Sequence, residues 1–235
     1  MKKKIIQCLI ILCSINCTVV QSGDRPTTMD SVQLEGNHIP ERLPGYQKPG
    51  SFTQISYKKM GLDFSEEQKA EFQSAKELKT ISAPNDLVRY YTLEHLKSIF
   101  WDQQRIEDSI SYEYGKIKSA KPIDLKGVAI EGTPKNGVIY SAMQVFEFED
   151  NITLGLTETD YIGTGDAIRM VEEMINTDIN GYPGVISYRQ SEDEGSLILL
   201  SWVTPAILRK ISLAGKNVKR NHLEITLQLA RSIEN

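Results

Sequence analysis

The alternation of apolar and polar positions divides the chain into a helix-patterned stretch followed by a strand-patterned one. Ser65-Glu66-Glu67-Gln68 has the spacing of a capping box and opens a helix to about residue 79, with Phe72, Ala75 and Leu78 on one face. Pro84 and Asn85 end it. Leu87, Tyr90, Leu93, Leu96 and Phe100 then recur at helical intervals and predict a second helix over 86–104. Residues 105–127 are ambiguous, although Ile110, Tyr112 and Tyr114 alternate like a short strand before Gly115.

Beyond that point strands dominate. Residues 138–148 alternate, Glu149-Asp150-Asn151 makes a turn, and residues 152–156 return. Gly163-Thr164-Gly165-Asp166 leads into a predicted helix carrying Ile168, Val171, Met174 and Ile175 on one stripe. Three further strands follow at 185–189, 196–203 and 206–213, with Gly195 and Pro205 at or beside the tight connections. Asn221-His222-Leu223-Glu224 starts a last helix through Leu227, Ala230 and Ile233. This order predicts an α+β fold, an antiparallel sheet with helices packed on one face, preceded by a helical N-terminal segment.

The first residues change the picture of where the protein works. Met1-Lys2-Lys3-Lys4 precedes a short apolar run to Cys17, the layout of a bacterial secretory signal, and the run is too short to span a bilayer comfortably. Cleavage after Ser22 fits best. A second reading is lipidation at Cys17, against which Asn16 stands where Gly, Ala or Ser is usual, and a third is an uncleaved anchor. The expected organisation is a signal peptide over 1–22, a Pro-rich arm or linker over 23–53, and one α+β domain over 54–235. Within that domain the helical part covers about 65–104 and the sheet-and-helix part about 128–235. Pro26, Pro40, Pro44 and Pro49 give the arm its extended character.

All three cysteines, Cys8, Cys13 and Cys17, fall inside the signal, so a mature chain starting at Gly23 holds no thiol or disulfide. Loss of Lys2, Lys3 and Lys4 leaves 24 basic against 31 acidic residues, a net charge of −7. That balance argues against nucleic acid as a partner, because a basic stripe is missing.

The closing residues carry a resemblance. Asn180-Gly181-Tyr182-Pro183, Leu200-Ser201-Trp202, Ser212-Leu213-Ala214-Gly215 and Leu229-Ala230-Arg231-Ser232-Ile233 occur in that order. Together this C-terminal segment of about 55 residues resembles an uncharacterised bacterial exported domain. That domain closes membrane-tethered envelope proteins, including relatives of anti-sigma factors. The resemblance implies a small sheet-and-helix module of the cell envelope and no catalytic residue. No transmembrane helix beyond the signal precedes it here, which argues against sigma-factor regulation across a membrane.

Candidate chemistry is sparse. His38, His95 and His222 are the only histidines, no Gly-x-Ser-x-Gly elbow is present, and no histidine pair has zinc-ligand spacing. Carboxylates are plentiful at Glu147, Glu149, Asp150, Glu158, Asp160, Asp166 and the Glu192-Asp193-Glu194 run, the last reading as a solvated hairpin tip. Glu147 and Glu149 would share one face of a strand. Asn176-Thr177-Asp178-Ile179-Asn180-Gly181 resembles half a calcium loop, but Ser187 stands at the twelfth position where a bidentate Glu is needed. A helix C-cap and tight turn explain the same residues. Gly163-Thr164-Gly165 could face an anion, yet lacks the rest of a nucleotide fingerprint.

Two features lean toward binding. Arg209, Lys210, Lys216, Lys219 and Arg220 form a basic cluster, and Tyr90-Tyr91 with Ile99-Phe100-Trp101 concentrate large side chains. The resulting expectation is an exported protein of the periplasm or outer cell envelope with a non-enzymatic binding role. Its partner would be a protein or a lipid-like ligand, with membrane association through Cys17 if that residue is lipidated. No catalytic, cofactor-binding or metal residue and no cofactor is assigned. The alternative is an envelope hydrolase using a carboxylate pair.

Overall fold

The computed structural model describes residues 18–20, 50–59, 64–118 and 123–233. All of the expected signal except residues 18–20, and most of the Pro-rich arm with His38, lie outside the described residues. The strands are β1 (Thr18–Val20), β2 (Phe52–Ile55), β3 (Thr80–Ser82), β4 (Phe100–Trp101), β5 (Asp124–Ile130), β6 (Ser141–Phe148), β7 (Ile152–Asp160), β8 (Ala167–Val171), β9 (Thr177–Ile179), β10 (Tyr182–Gln190), β11 (Ser196–Val203) and β12 (Ile207–Gly215). The helices are α1 (Glu66–Lys76), α2 (Asn85–Tyr90), α3 (Leu93–Leu96), α4 (Gln103–Glu107), α5 (Tyr161–Thr164) and α6 (His222–Arg231).

Two antiparallel meanders, β5-β6-β7 and β10-β11-β12, join where β12 lies beside β7. Strand β3 adds in parallel to β10 at one edge, β4 adds antiparallel to β5 at the other, and β9 forms a hairpin with β10. A smaller sheet places β8 between β1 and β2. The fold is mixed α+β.

Both faces of the large sheet are covered, which corrects the expectation of helices on one face only. Consecutive β12 residues show it. Leu213 shares a cluster with Leu229 and Ala230 of α6, whereas Ala214 packs with Leu87 and Val88 of α2. Alternation along each strand therefore sends two apolar sets to two separate cores. The second face also meets α1 and β8 through Phe72, Ala75, Ile168 and Met170.

The reciprocal capping box forms: Gln68 N–H donates to Ser65 Oγ at 3.2 Å, and Ser65 N–H donates to Gln68 Oε1 at 2.9 Å. The single helix expected over 86–104 does not form. Thr92 is extended, Leu93 N–H donates to Thr153 Oγ1 at 2.8 Å, and Phe100–Trp101 leaves the helical path to pair with Val128 and Ala129. The Phe100 ring lies over Gly127, where any side chain would displace it. The helix expected after Gly165 is instead strand β8. All five of its residues are buried, Arg169 included, and so short a run carries no periodicity that separates strand from helix. The arm's last residues are tied down, since Gly50 N–H donates to Asp166 O and β2 pairs with β8.

Candidate binding grooves

One row of side chains crosses the α6-covered face of the sheet. Cross-strand register aligns Ala142, Glu158, Arg209, Trp202 and Gly184 on β6, β7, β12, β11 and β10. Glu158 is 1% exposed and Arg209 5% exposed, so a full ion pair sits in an otherwise apolar layer. Arg209 Nε donates to Glu158 Oε1 at 2.8 Å, and Gly115 N–H donates to Oε2 at 2.8 Å. Both carboxylate oxygens are thereby matched to donors, as burial of a charge demands. Gly115 must lack a side chain: a Cβ there would stand 2.8 Å from Glu158 Oε1 and 2.7 Å from Ile233 Cγ2. Tyr112 closes this corner, its hydroxyl donating to Glu158 O at 2.6 Å and accepting from Ala142 N–H at 3.2 Å. Burial, and after it the nearby Glu158 charge, pushes the Tyr112 phenol well above its ordinary pKa.

Beside this pair a groove of about 560 Å³ opens between the C-terminal end of α6 and the sheet. Its walls are Ala230 near the end of α6 and Ile233 just beyond it, Ile179 and Tyr182 around the β9–β10 turn, and Trp202, Pro205, Ala206 and Ile207 around the β11–β12 turn. Asn180 and Gly181 both adopt positive φ, the backbone of a tight hairpin turn. Asn180 Nδ2 donates to Arg231 O at 3.0 Å, which fastens that turn to the end of α6. Of the remaining polar lining, Thr204 Oγ1 is committed to Ile207 and Tyr112 as above, while Glu113 stands exposed on the rim. What is left to a ligand is mainly apolar surface.

A second hollow lies on the opposite face, where the α2–α3 junction meets the β6–β7 turn and the end of β12. It comprises two adjoining grooves of about 840 and 400 Å³ that share Thr92, Glu94, Asn151 and Gly215. Its lining mixes charged and amide side chains with the apolar Leu93, Ile152 and Ala214. Arg89 reaches across it to Glu194, Nη2 to Oε1 at 2.6 Å, and Asn85 Nδ2 donates to Asp193 Oδ2 at 2.7 Å. In the Glu192-Asp193-Glu194 hairpin tip Glu192 and Asp193 are solvent-exposed, as expected, and Asp193 and Glu194 also bond to α2.

The other expected features are dispersed. The basic cluster breaks up because Arg209 points inward to Glu158, while Lys216, Lys219 and Arg220 are exposed on the loop before α6. Glu147 and Glu149 do not share a face: β6 ends at Phe148, Glu147 pairs with Lys126 at 2.7 Å, and Glu149 lies in the 3-10 turn. Asp160 is turned inward on its own loop, accepting from Gly163 N–H at 2.6 Å and Ser111 Oγ at 2.7 Å. Only one 3-10 turn, Glu172–Met174, precedes Asn176. Its side chain bridges Ala75 O, Ile186 O and Ile186 N–H, so the half calcium loop is a structural clasp. Among the described residues no group of three or more His, Cys, Asp or Glu side chains could hold a metal ion.

His222 is buried and accepts from Lys219 N–H at Nδ1, while Asn221 makes no side-chain cap at the start of α6. His95 is exposed beside the Tyr90 ring, with centroids 5.4 Å apart. Tyr90, Ile99 and Trp101 are 37%, 37% and 43% exposed, so the large side chains of that stretch are only partly core. Sequence reasoning missed Glu158 with Arg209. The available signal was one charge of each sign inside two otherwise apolar strand positions.

No family model, no curated protein and no solved structure matches the chain.

Proposed function

We propose that this chain is an exported protein of the bacterial envelope that binds a partner without catalysing a reaction, and that the groove under α6 is the binding surface. The observation that carries the reading is the groove itself: apolar side chains from three separate elements converge on one concavity whose polar groups are mostly already hydrogen-bonded. Such a site gains affinity from burial of apolar surface, about 25 cal/mol per Å². The Lys2-Lys3-Lys4 segment with the apolar run behind it supports export, and the resemblance of the C-terminal segment supports the envelope. No helix among the described residues is long and apolar enough to cross a membrane.

The groove favours binding over the carboxylate-pair hydrolase. Glu113 is the one carboxylate in its lining, and neighbouring Glu158 has both oxygens committed to Arg209 and Gly115, whereas a glycosidase needs two acids facing substrate across a cleft. The test is titration with N-phenylnaphthylamine, a neutral apolar fluorophore. Wild-type protein is expected to enhance its emission saturably, and Ala206→Trp, which fills the groove from its exposed rim, is expected to weaken that binding at least tenfold. Equal enhancement by the two proteins would remove the groove from the account.

A further inference from the structure

The hollow on the opposite face, lined by charges of both signs, points to a second ligand of different chemistry: we propose that it binds a neutral oligosaccharide. The argument runs by charge, shape and the groups left to hydrogen-bond. Its lining brings together three cationic side chains, Arg89, Lys97 and Lys216, and three carboxylates, Glu94, Glu147 and Glu194. Arg89 pairs with Glu194, and Glu147 pairs with Lys126. A surface so balanced has no net attraction for an anion or a cation. It is equally unsuited to a lipid tail, because a hydrocarbon would strip water from charged groups and return no hydrogen bonds.

A neutral polyhydroxylated ligand satisfies those constraints. Sugar hydroxyls both donate and accept, so they can meet carboxylate, ammonium and amide groups in one groove. The two hollows are continuous through Thr92, Asn151 and Gly215, which gives an elongated path suited to linked rings. Gly215 has φ +145 and carries no side chain where they meet; a Cβ there would stand 3.5 Å from Asn151 O and narrow the passage. Asp150 and Asn151 are both held at positive φ, and Asn217 Nδ2 donates to Asp150 O at 2.8 Å, so the turn presenting Asn151 is fixed in place. In the same lining the exposed His95 ring, packed against Tyr90 with centroids 5.4 Å apart, offers a flat surface on which the C–H face of a sugar can stack.

The experiment is calorimetric titration of the full chain with three neutral tetrasaccharides, β-1,4-linked N-acetylglucosamine, β-1,4-linked glucose and α-1,4-linked glucose, and with a sulfated tetrasaccharide of matching length. At least one neutral sugar is expected to bind in the millimolar range or tighter and to exceed the sulfated one. Asn151→Gly, which keeps the positive-φ turn and deletes the amide, is expected to weaken that binding at least tenfold with an unchanged circular dichroism spectrum. Ala206→Trp, in the other groove, is expected to leave it intact, so the two proposals fail independently. Binding by none of the neutral sugars overturns the inference. So does a preference for the sulfated one, or affinity that Asn151→Gly does not change.

Discussion

Replacing Arg209 by leucine should be among the most damaging single changes in this protein, and the size of the loss follows from what stays behind. Glu158 is 1% exposed, and after the substitution its Oε1 loses the Arg209 Nε donor 2.8 Å away while Oε2 keeps only Gly115 N–H. An uncompensated buried charge of this kind costs about 3–5 kcal/mol. That is a large part of the roughly 5–15 kcal/mol that holds a folded domain together. With a urea m-value of about 2 kcal/mol/M, the unfolding midpoint should fall by about 2 M. The double variant Glu158→Leu/Arg209→Leu removes both charges from the same layer and should recover much of the loss, leaving mainly the orphaned Gly115 N–H at about 1–3 kcal/mol. The assay is urea unfolding of the two single variants and the double, followed by far-ultraviolet circular dichroism. A cost below about 1 kcal/mol for Arg209→Leu, or a double variant as damaged as the sum of the singles, would refute the reasoning.

Three further outcomes are expected. Gly195→Ala should cost at least about 2 kcal/mol in the same assay, because Gly195 has φ +94 and an added Cβ would lie 2.6 Å from Gly215 O, a backbone atom that cannot step aside. Burial raises the phenol pKa of Tyr112 and Tyr114 above the ordinary 10.0, so the folded state holds their protons where the unfolded chain releases them. The stability this contributes is complete below about pH 10 and is lost as pH climbs toward the folded values, so midpoints should fall above pH 10 and fall less steeply in Tyr112→Phe. A chain beginning at Gly23 lacks β1, which leaves the edge of β8 opposite β2 without a partner strand. Backbone amides on that edge of β8 should exchange faster in it than in the full chain, as read by hydrogen exchange, whereas equal protection would show that β1 adds nothing there.

How far the sequence could be read depended on what each pattern had to distinguish. Ser65 through Gln68 specified a helix start because a capping box is a local device whose two hydrogen bonds involve four adjacent residues. The β10-β11-β12 meander was legible because Gly195 and Pro205 punctuate long apolar strands. Residues 86–104 misled because apolar residues at three- and four-residue intervals also fit two short helices broken at Thr92. The break is set by Thr153, a residue far along the chain. Residues 167–175 misled for another reason: β8 is buried between two strands and a helix, so every position is apolar or covered and period carries no information. The grooves were less legible still. Tyr112, Trp202 and Ile233 are separated by dozens of residues and meet only through sheet register and the docking of α6. The Glu192-Asp193-Glu194 tip reads as solvated charge, and Glu192 and Asp193 are exposed; what the fold adds is that Asn85 and Arg89 bond to Asp193 and Glu194.

The central claim is that the groove under α6 holds a partner in the cell. Native mass spectrometry of the protein recovered from its own host's envelope tests it most directly, with wild type and Ala206→Trp prepared side by side. The account predicts a discrete stoichiometric added mass on the wild-type chain that is missing from the filled-groove variant. A bare mature mass for both proteins, or the same adduct on both, would contradict it.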